Sequence, residues 1–222
     1  MSESNDKKYK ISKKKVIYNK KDLYINSDNT LIIIDWDDTL YPTAWTMNNG
    51  IDLTDPRSRS KYMSHFENLD EQLSSALSHM LTLGEVVIIT NAMIEWIELS
   101  VSVLPKTKKC LKSIDVISAR QRYQNKTKMS DWKKYTFLEE MLKRSKTQKY
   151  QNIMSLGDAE FEHNALVNLY TLETLPHKYL KSIKFIRSTE YAILLEQIIM
   201  IRKHIAKLCK APRHIDMTFD TN

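Results

Sequence analysis

This chain has few of the residues that dominate fibrous, disulfide-linked or membrane-spanning proteins. Its 222 residues include only 3 glycines, 5 prolines and 2 cysteines. This scarcity excludes collagen-like and loop-dominated architectures, and Cys110 and Cys209 cannot build a disulfide framework or a cysteine-based zinc site. No apolar run approaches the roughly 20 residues that span a bilayer, since the best candidate, residues 191–201, is interrupted by Glu196. We therefore expect an intracellular, cytoplasmic or nuclear protein without a membrane span.

Positive charge is concentrated at the amino terminus. Residues 1–21 contain eight lysines and two acids, a net charge of +6, whereas the rest of the chain has a net charge of only +1. Such a lysine run binds nucleic acid, anionic lipid or an import receptor, or else stays a solvated arm. We divide the chain into a basic, flexible tail (1–21), one α/β domain (22–210) and a C-terminal tail (211–222) that lacks periodicity and is expected to trail off.

Short apolar runs alternate with helical patterns from residue 31 onward. The runs predicted to form strands are residues 31–34, 86–89, 113–118, 152–156 and 182–186. They contain consecutive apolar residues instead of an alternation, which is typical of strands buried on both faces of a parallel sheet. The sequence therefore predicts an α/β fold, with a Rossmann-like open parallel sheet of about five strands flanked by helices.

The helical patterns fill the spaces between these strands. Apolar residues recur at helical spacing from Tyr62 to Met80, and Gly84 suits the end of that helix. One helix is expected over 92–104, stopping near Pro105. Another should be capped by Ser130 or Asp131 and run to about Arg144, and the last is expected over about 189–209.

Polar residues stand where the predicted strands end. Asp35 and Asp37 follow the first strand, Thr90 ends the second, and Asp158 follows the fourth. Because alternate residues of an extended chain point the same way, Asp35 and Asp37 should project together while Trp36 points elsewhere. The carboxyl ends of parallel strands line the ligand crevice, so we expect these polar side chains to meet there.

These motifs resemble those of the haloacid-dehalogenase-like (HAD) superfamily of phosphohydrolases. The family's first motif, an apolar strand and then D-x-D-x-T, is matched by LIIIDWDDT (31–39). Its second, an apolar strand ending in Thr or Ser, is matched by VVIIT (86–90), and its fourth, an apolar strand and then G-D-x-x-x-[D/E], by IMSLGDAEFE (153–162). The matches occur in the family's order and span most of the predicted domain.

The family's third motif is a single lysine, usually at a helix start. Lys133 is our choice, and Lys134 and Lys128 are the alternatives. The resemblance implies that this lysine binds phosphoryl oxygens together with Thr90 and Asn91, and that it stabilises charge in the transition state.

The resemblance implies a magnesium-dependent phosphatase. Asp35 would attack phosphorus and form an aspartyl-phosphate. Asp37 would protonate the leaving oxygen and then take a proton from the attacking water. Mg²⁺ would be held by Asp35, Asp158 and the backbone carbonyl of Asp37, and it would let the anionic nucleophile approach the phosphate.

Further residues receive supporting or structural roles. Thr39 is expected to brace the turn after the nucleophile. Gly157 and Glu162 belong to the fourth motif, and Glu162 is expected to orient the waters of the metal without touching it. Trp96 is interpreted as a packing residue. Arg120 either binds a substrate phosphate or pairs with an acid.

The segments between the motifs are too short for a full cap domain. Residues 40–85 hold one long helix, preceded by a stretch that suits the short helical turn and β-hairpin flap of the family; residues 91–132 hold no inserted domain. By analogy with the family, such an open site suits a phosphorylated macromolecule, protein or nucleic acid, although a phosphorylated metabolite is also compatible. The alternative function is a non-catalytic protein of this fold that uses its lysine-rich tail to bind nucleic acid or another acidic partner.

Overall fold

One parallel β-sheet organises the chain. The computed structural model describes residues 24–172 and 177–219, so the predicted basic tail (1–21) lies outside the described residues. The strands are β1 (Thr30–Ile34), β2 (Glu85–Thr90), β3 (Asp115–Ser118), β4 (Asn152–Gly157), β5 (Tyr179–Lys184) and β6 (Ile215–Thr218). Their order is β3-β2-β1-β4-β5-β6, and every pairing is parallel. The predicted α/β fold with an open parallel sheet is confirmed.

Helices cover both faces of this sheet. Those within the described residues are α1 (Thr43–Asn48), α2 (Pro56–Ser60), α3 (Met63–Leu83), α4 (Ile94–Val101), α5 (Pro105–Cys110), α6 (Ala119–Tyr123), α7 (Met129–Arg144), α8 (Glu160–Asn168) and α9 (Tyr191–Lys210). None of them has the length and apolar character needed to cross a bilayer.

The alternation of side chains along β1 divides the apolar core into two layers. Ile32, Ile34 and Trp36 point to one face, where α3, α9 and α4 supply the partners. Leu31 and Ile33 point to the other face and meet α7 and α8. All five side chains are buried. The strand is apolar on both sides because each face is covered, which is the condition that an all-parallel sheet requires.

The carboxyl-terminal segment departs from the prediction. Residues 215–218 do not trail off but form β6, which pairs in parallel with β5, so the sheet has six strands. Ile215 and Met217 are half-buried while Asp216 and Thr218 are exposed. This alternation is the signature of an edge strand with one covered face, and a segment of four residues is too short for the pattern to stand out in the sequence.

The segment after β1 also differs from the expectation, because the described residues between β1 and β2 contain no β-hairpin. Two short helices, α1 and α2, lie where the flap was expected. Asp55 caps α2 by accepting hydrogen bonds from the backbone N–H groups of Arg57 (3.0 Å) and Ser58 (3.2 Å), with Pro56 at its first position. A side-chain cap followed by proline is a helix start, and proline cannot donate to a strand ladder.

Two helix boundaries are corrected as well. Pro105 does not merely end the helix before it, since α4 ends at Val101 and α5 begins with Pro105. Proline lacks only an N–H that the first turn of a helix leaves free, so it suits that position. The helix α7 begins at Met129, two or three residues earlier than predicted, and its N-cap Lys128 makes no side-chain capping bond.

The start of α5 depends on a buried acid from another helix. Asp70 of α3 accepts hydrogen bonds from the backbone N–H groups of Lys106 (2.8 Å) and Thr107 (2.7 Å). We expect Asp70→Ala to lower the free energy of unfolding by about 2 kcal/mol, because it leaves two helix-terminal N–H groups without an acceptor. Urea denaturation measures this loss.

A neighbouring acid provides the matched control. Glu71 lies on the same helix and contacts Lys106 through its exposed carboxylate. Exposed ion pairs stabilise little, so Glu71→Ala should leave the urea midpoint unchanged. Equal effects of the two substitutions would show that Asp70 acts only through surface charge.

Candidate active site

The three central strands bring their polar ends to one edge of the sheet. β1 lies between β2 and β4, so Asp35, Thr90 and Asp158 come from neighbouring strands. The Asp35 N–H continues the ladder past β1 by donating to the Leu156 carbonyl at 2.9 Å. Asp35 therefore lies where backbone hydrogen bonds still hold its main chain in place.

A buried lysine from α7 reaches Asp35. Lys133 is 1% exposed, its Nζ lies 2.6 Å from Asp35 Oδ1, and it also contacts Glu162 Oε1. It shares the inward face of α7 with Phe137 and Met141, so the packing of that helix carries it to the site. Of the three candidate lysines, Lys133 is the one that the structure places at Asp35. Lys134 lies over the ring of Tyr135, and Lys128 is exposed.

Three buried carboxylates cluster around this ammonium group. Asp35, Asp158 and Glu162 each offer an oxygen, and these oxygens lie within 4.8 Å of one another. Glu162 is engaged by the protein at both oxygens, since Oε1 contacts Lys133 and Oε2 accepts the Ala159 N–H at 3.1 Å. Asp158 has a weaker partner in Arg187, whose Nε is 3.8 Å away on an exposed side chain.

Burial dominates the electrostatics of the cluster. It raises the pKa of Asp35 to about 8, although the charge of Lys133 lowers it. Burial, followed by the charge of Glu162, raises the pKa of Asp158 to about 6. Burial disfavours the ammonium form of Lys133, but Asp35 and Glu162 outweigh it and hold the pKa of Lys133 above its usual value. Three acids therefore share one buried cation.

This deficit of positive charge fits a divalent cation. Carboxylate oxygens are the hard ligands that Mg²⁺ prefers, and a cation among them removes the repulsion that raises their proton affinity. Because Glu162 is already held at both oxygens, Asp35 and Asp158 are the carboxylates left to bind it. Asp37 is not one of the three acids whose oxygens lie together, and a contribution from its backbone carbonyl stays a prediction.

The Asp37 carboxylate is held by two hydrogen-bond donors. Its Oδ1 accepts hydrogen bonds from Thr43 Oγ1 at 2.5 Å and from Trp96 Nε1 at 2.8 Å. The chain reaches Thr43 through a tight turn in which Asp38 has a φ of +52° and accepts the Ala44 N–H at 2.8 Å. Sequence reasoning missed Thr43 altogether and gave Trp96 only a packing role.

The loop after β2 is held in place by β3. Thr90 Oγ1 is buried and accepts the Ala92 N–H at 3.0 Å, which leaves the hydroxyl proton available for a phosphoryl oxygen. Ser118 Oγ donates to the Ala92 carbonyl at 2.6 Å. Asn91 Oδ1 is buried without a hydrogen-bond partner in the described part of the chain. Thr90, the last residue of β2, and Asn91, which follows it, are thus held at the end of the strand that pairs with β1.

Two further predicted residues have distinct surroundings. Thr39 is fully buried, and its N–H donates to the Trp36 carbonyl at 3.3 Å within the turn that follows Asp35. Arg120 is exposed at the start of α6 and forms no ion pair with a described acid. Its pairing with an acid is therefore not seen, and its contact with a substrate phosphate stays a prediction.

Gly157 makes room for the acid cluster. A β-carbon at this position would lie 2.3 Å from Glu162 Cγ and 2.6 Å from its Oε2. No side chain larger than hydrogen fits without moving Glu162. Gly157 thus leaves the space that the Glu162 side chain occupies, and the next residue, Asp158, supplies a carboxylate of the same cluster.

Comparison with known proteins adds little to this geometry. No protein-family model and no curated protein matches the chain. Among solved structures, the chain is similar to a HAD family hydrolase from Deinococcus radiodurans R1 with bound phosphate and sodium. The identity is 10%, the coverage is 83% of this chain and 97% of that chain, and the TM-score is 0.36. A likeness at this level supports no conclusion about activity, which has to come from the residues themselves.

The crowded acids predict how stability depends on pH and Mg²⁺. In the unfolded chain both aspartates titrate near pH 4, and in the folded state they titrate near pH 8 and pH 6. The folded state binds more protons between these values, so the stability of the metal-free protein should fall as pH rises from about 4 to about 8. Mg²⁺ should reverse this loss and raise Tm more at pH 8 than at pH 5, by about 5–10 °C at one hundred times its Kd.

Thermal unfolding in EDTA and in Mg²⁺, at constant ionic strength, measures both effects. Asp158→Asn should remove only the part of the pH dependence that lies between about pH 4 and pH 6, and it should abolish most of the Mg²⁺ shift. Asp28→Asn, an exposed acid at the opposite end of β1, should behave like the wild type. An Mg²⁺ shift that survives in Asp158→Asn would place the cation elsewhere.

Replacing Gly157 should disturb the same site through space alone. We expect Gly157→Ala to push Glu162 out of the cluster, to cost about 1–3 kcal/mol of stability through overpacking and to weaken the Mg²⁺ shift. Gly50→Ala is the control, because its β-carbon meets nothing within 4 Å and only its φ of +60° is strained. That variant should lose some stability and keep the full Mg²⁺ shift, whereas an equal loss of the shift in both variants would contradict the steric role of Gly157.

Proposed function

We propose that the protein is a magnesium-dependent phosphatase that works through an aspartyl-phosphate intermediate. The observation that carries this proposal is the placement of Asp35. It is buried at the end of the central strand, 2.6 Å from the Lys133 ammonium, and it belongs to a cluster of three acids suited to a divalent cation. Asp37 lies two residues further along, with its carboxylate anchored at one oxygen.

The first half of the reaction transfers the phosphoryl group to the protein. A carboxylate oxygen of Asp35 attacks phosphorus, a new O–P bond forms, and the P–O bond to the leaving group breaks. The electron pair of the broken bond stays on the leaving oxygen, which takes a proton from Asp37. Lys133, Thr90 and Asn91 donate hydrogen bonds to the phosphoryl oxygens as charge develops on them.

The second half regenerates the enzyme. The carboxylate of Asp37, now deprotonated, accepts a proton from a water molecule that attacks the phosphorus of the aspartyl-phosphate. The bond between phosphorus and Asp35 breaks, and its electron pair returns to the carboxylate as inorganic phosphate leaves. Asp37 thus ends the cycle protonated, as it began.

The metal would be held by Asp35, Asp158 and the backbone carbonyl of Asp37. When bound, Mg²⁺ neutralises charge on the acids and on the phosphoryl group, so that two anions can approach each other. Glu162 holds Lys133 in place through its carboxylate and would orient waters on the metal. Gly157 leaves the space that Glu162 needs.

The lack of an inserted domain beside the carboxyl ends of the strands favours a substrate whose phosphate is carried by a larger molecule or by a metabolite. Between β1 and β2 the chain forms α1, α2 and α3, and between β2 and β3 it forms α4 and α5. No additional domain is inserted in these described segments. A phosphate on a protein, nucleic acid or metabolite can therefore approach from solvent.

Hydrolysis of p-nitrophenyl phosphate tests the proposal. We expect the wild type to be active with Mg²⁺ and inactive in EDTA. Asp35→Asn should lower kcat by at least about a thousandfold, since it removes the nucleophile. Asp28→Asn, an exposed acid two residues before the opposite end of β1, should retain full activity.

Beryllium fluoride, which mimics an aspartyl-phosphate, provides a second readout that does not depend on how well the ester fits. With Mg²⁺ it should form a complex with the wild type, seen by ¹⁹F NMR, and none with Asp35→Asn. A wild type that neither hydrolyses the ester nor binds beryllium fluoride would contradict the phosphatase proposal.

A further inference from the structure

Two hydrogen bonds hold the side chain of Asp37, and the proposed reaction gives them no role. Both hydrogen bonds to its side chain, from Thr43 of α1 and from Trp96 of α4, end on the same oxygen, Oδ1. We propose that Trp96 is a positioning residue for proton transfer: its indole N–H fixes the Asp37 carboxylate so that Oδ2 faces the leaving group. This inference rests on the proposed function.

The indole is well suited to this task because it can only donate. A Trp Nε1–H has no lone pair to offer, so it cannot accept the proton that Asp37 has to deliver. Among the described residues, Asp37 Oδ2 accepts no hydrogen bond. With Oδ1 occupied by two donors, Oδ2 is the oxygen left to carry the proton.

The position of Trp96 is itself fixed by an aromatic ladder. Its ring meets Tyr41 edge to face, with centroids 5.9 Å apart and an interplanar angle of 84°. Tyr41 stacks in parallel on the buried Trp36 at 6.2 Å. Trp36 lies in sequence between Asp35 and Asp37. The segment that carries both aspartates therefore also supports, through Tyr41, the Trp96 ring that donates to Asp37.

A second hydrogen bond ties α4 to this turn. Trp36 Nε1 donates to Ser100 Oγ of α4 at 3.0 Å, and both groups are buried. The helix is therefore attached to the end of β1 at two places, through Ser100 and through Trp96. Two attachments one helical turn apart restrict both the distance and the rotation of α4, and they fix the position from which the Trp96 N–H reaches Asp37.

The leaving-group dependence of the reaction distinguishes positioning from packing. Benzyl phosphate and p-nitrophenyl phosphate are similar in size, but the benzyl alkoxide is a far stronger base and needs a proton as it departs. Nitrophenolate leaves without one. The ratio kcat/KM covers the steps up to departure of the leaving group, so it excludes hydrolysis of the intermediate. General acid catalysis contributes about 10²- to 10⁴-fold, and this contribution should appear only with benzyl phosphate.

We expect Trp96→Phe, which keeps a ring and removes the N–H, to lower kcat/KM for benzyl phosphate by about tenfold to a hundredfold, part of the general-acid contribution. For p-nitrophenyl phosphate the loss should stay below about threefold, because that ester does not need the proton. A merely structural role would lower both values by the same factor and would overturn the inference.

Two further variants sharpen the test. The five-membered rings of Trp and His superpose so that His Nε2 falls where Trp Nε1 lies, and Trp96→His should therefore recover part of the activity on benzyl phosphate. Trp132 is the matched control, since its partly buried indole donates to the Thr127 carbonyl at 3.1 Å. Trp132→Phe should keep the wild-type ratio of the two substrates. Should Trp96→Phe fail to fold, Thr43→Val removes the other donor and should show the same selectivity.

The outcomes separate the inference from the proposed function. If the wild type hydrolyses neither ester and Asp35→Asn changes nothing, the phosphatase proposal fails and the role of Trp96 with it. If the wild type is active and needs Asp35, but Trp96→Phe shows no selectivity between the esters, only the inference about Trp96 is overturned.

Discussion

The buried ion group of Lys133, Asp35 and Glu162 is the constraint on which the rest of the site depends. A lysine that is 1% exposed is tolerated only when the partners of its ammonium group are close and well placed, because its desolvation is costly. This requirement determines where α7 must lie on the sheet. It also explains why β4 ends in a residue without a side chain, since Gly157 leaves the space that Glu162 occupies.

The order of the strands explains why these groups meet. From β1 the chain builds outward through β2 and β3, then returns to the other side of β1 with β4 and continues outward to β6. At such a reversal the connections leave β1 and β4 toward opposite faces, which opens a crevice at their carboxyl ends. Asp35 and Asp158 flank this crevice. The connection from β3 to β4 contains α7, so the same reversal delivers Lys133.

The part of the site that could be predicted from sequence is the part held by regular structure. Asp35 and Asp158 follow apolar strands, so their spacing indicates where they go. Lys133 was chosen only from the resemblance, because spacing alone did not separate it from Lys134 and Lys128. Trp96 could not be assigned, because its contact with Asp37 depends on a turn with a positive φ at Asp38. β6 was missed because an edge strand of four residues carries too little pattern. The start of β5 was placed at residue 182 instead of Tyr179, because a buried lysine, Lys181, lies within the strand. Its ammonium donates to the Cys209 carbonyl at the end of α9, a partner that no local pattern reveals.

The two aspartates of the first motif are only two residues apart, yet opposite helical layers hold them. Asp35 is held from the face of α7 by a cation, and Asp37 from the face of α1 and α4 by two uncharged donors. A cation favours the anionic form of Asp35, whereas the two donors on Asp37 orient its carboxylate. Trp36, between them, points into the α3 and α4 layer and joins that layer to the turn. The short segment after β1 therefore presents two carboxylates in different surroundings, because the sheet beneath it is covered on both sides.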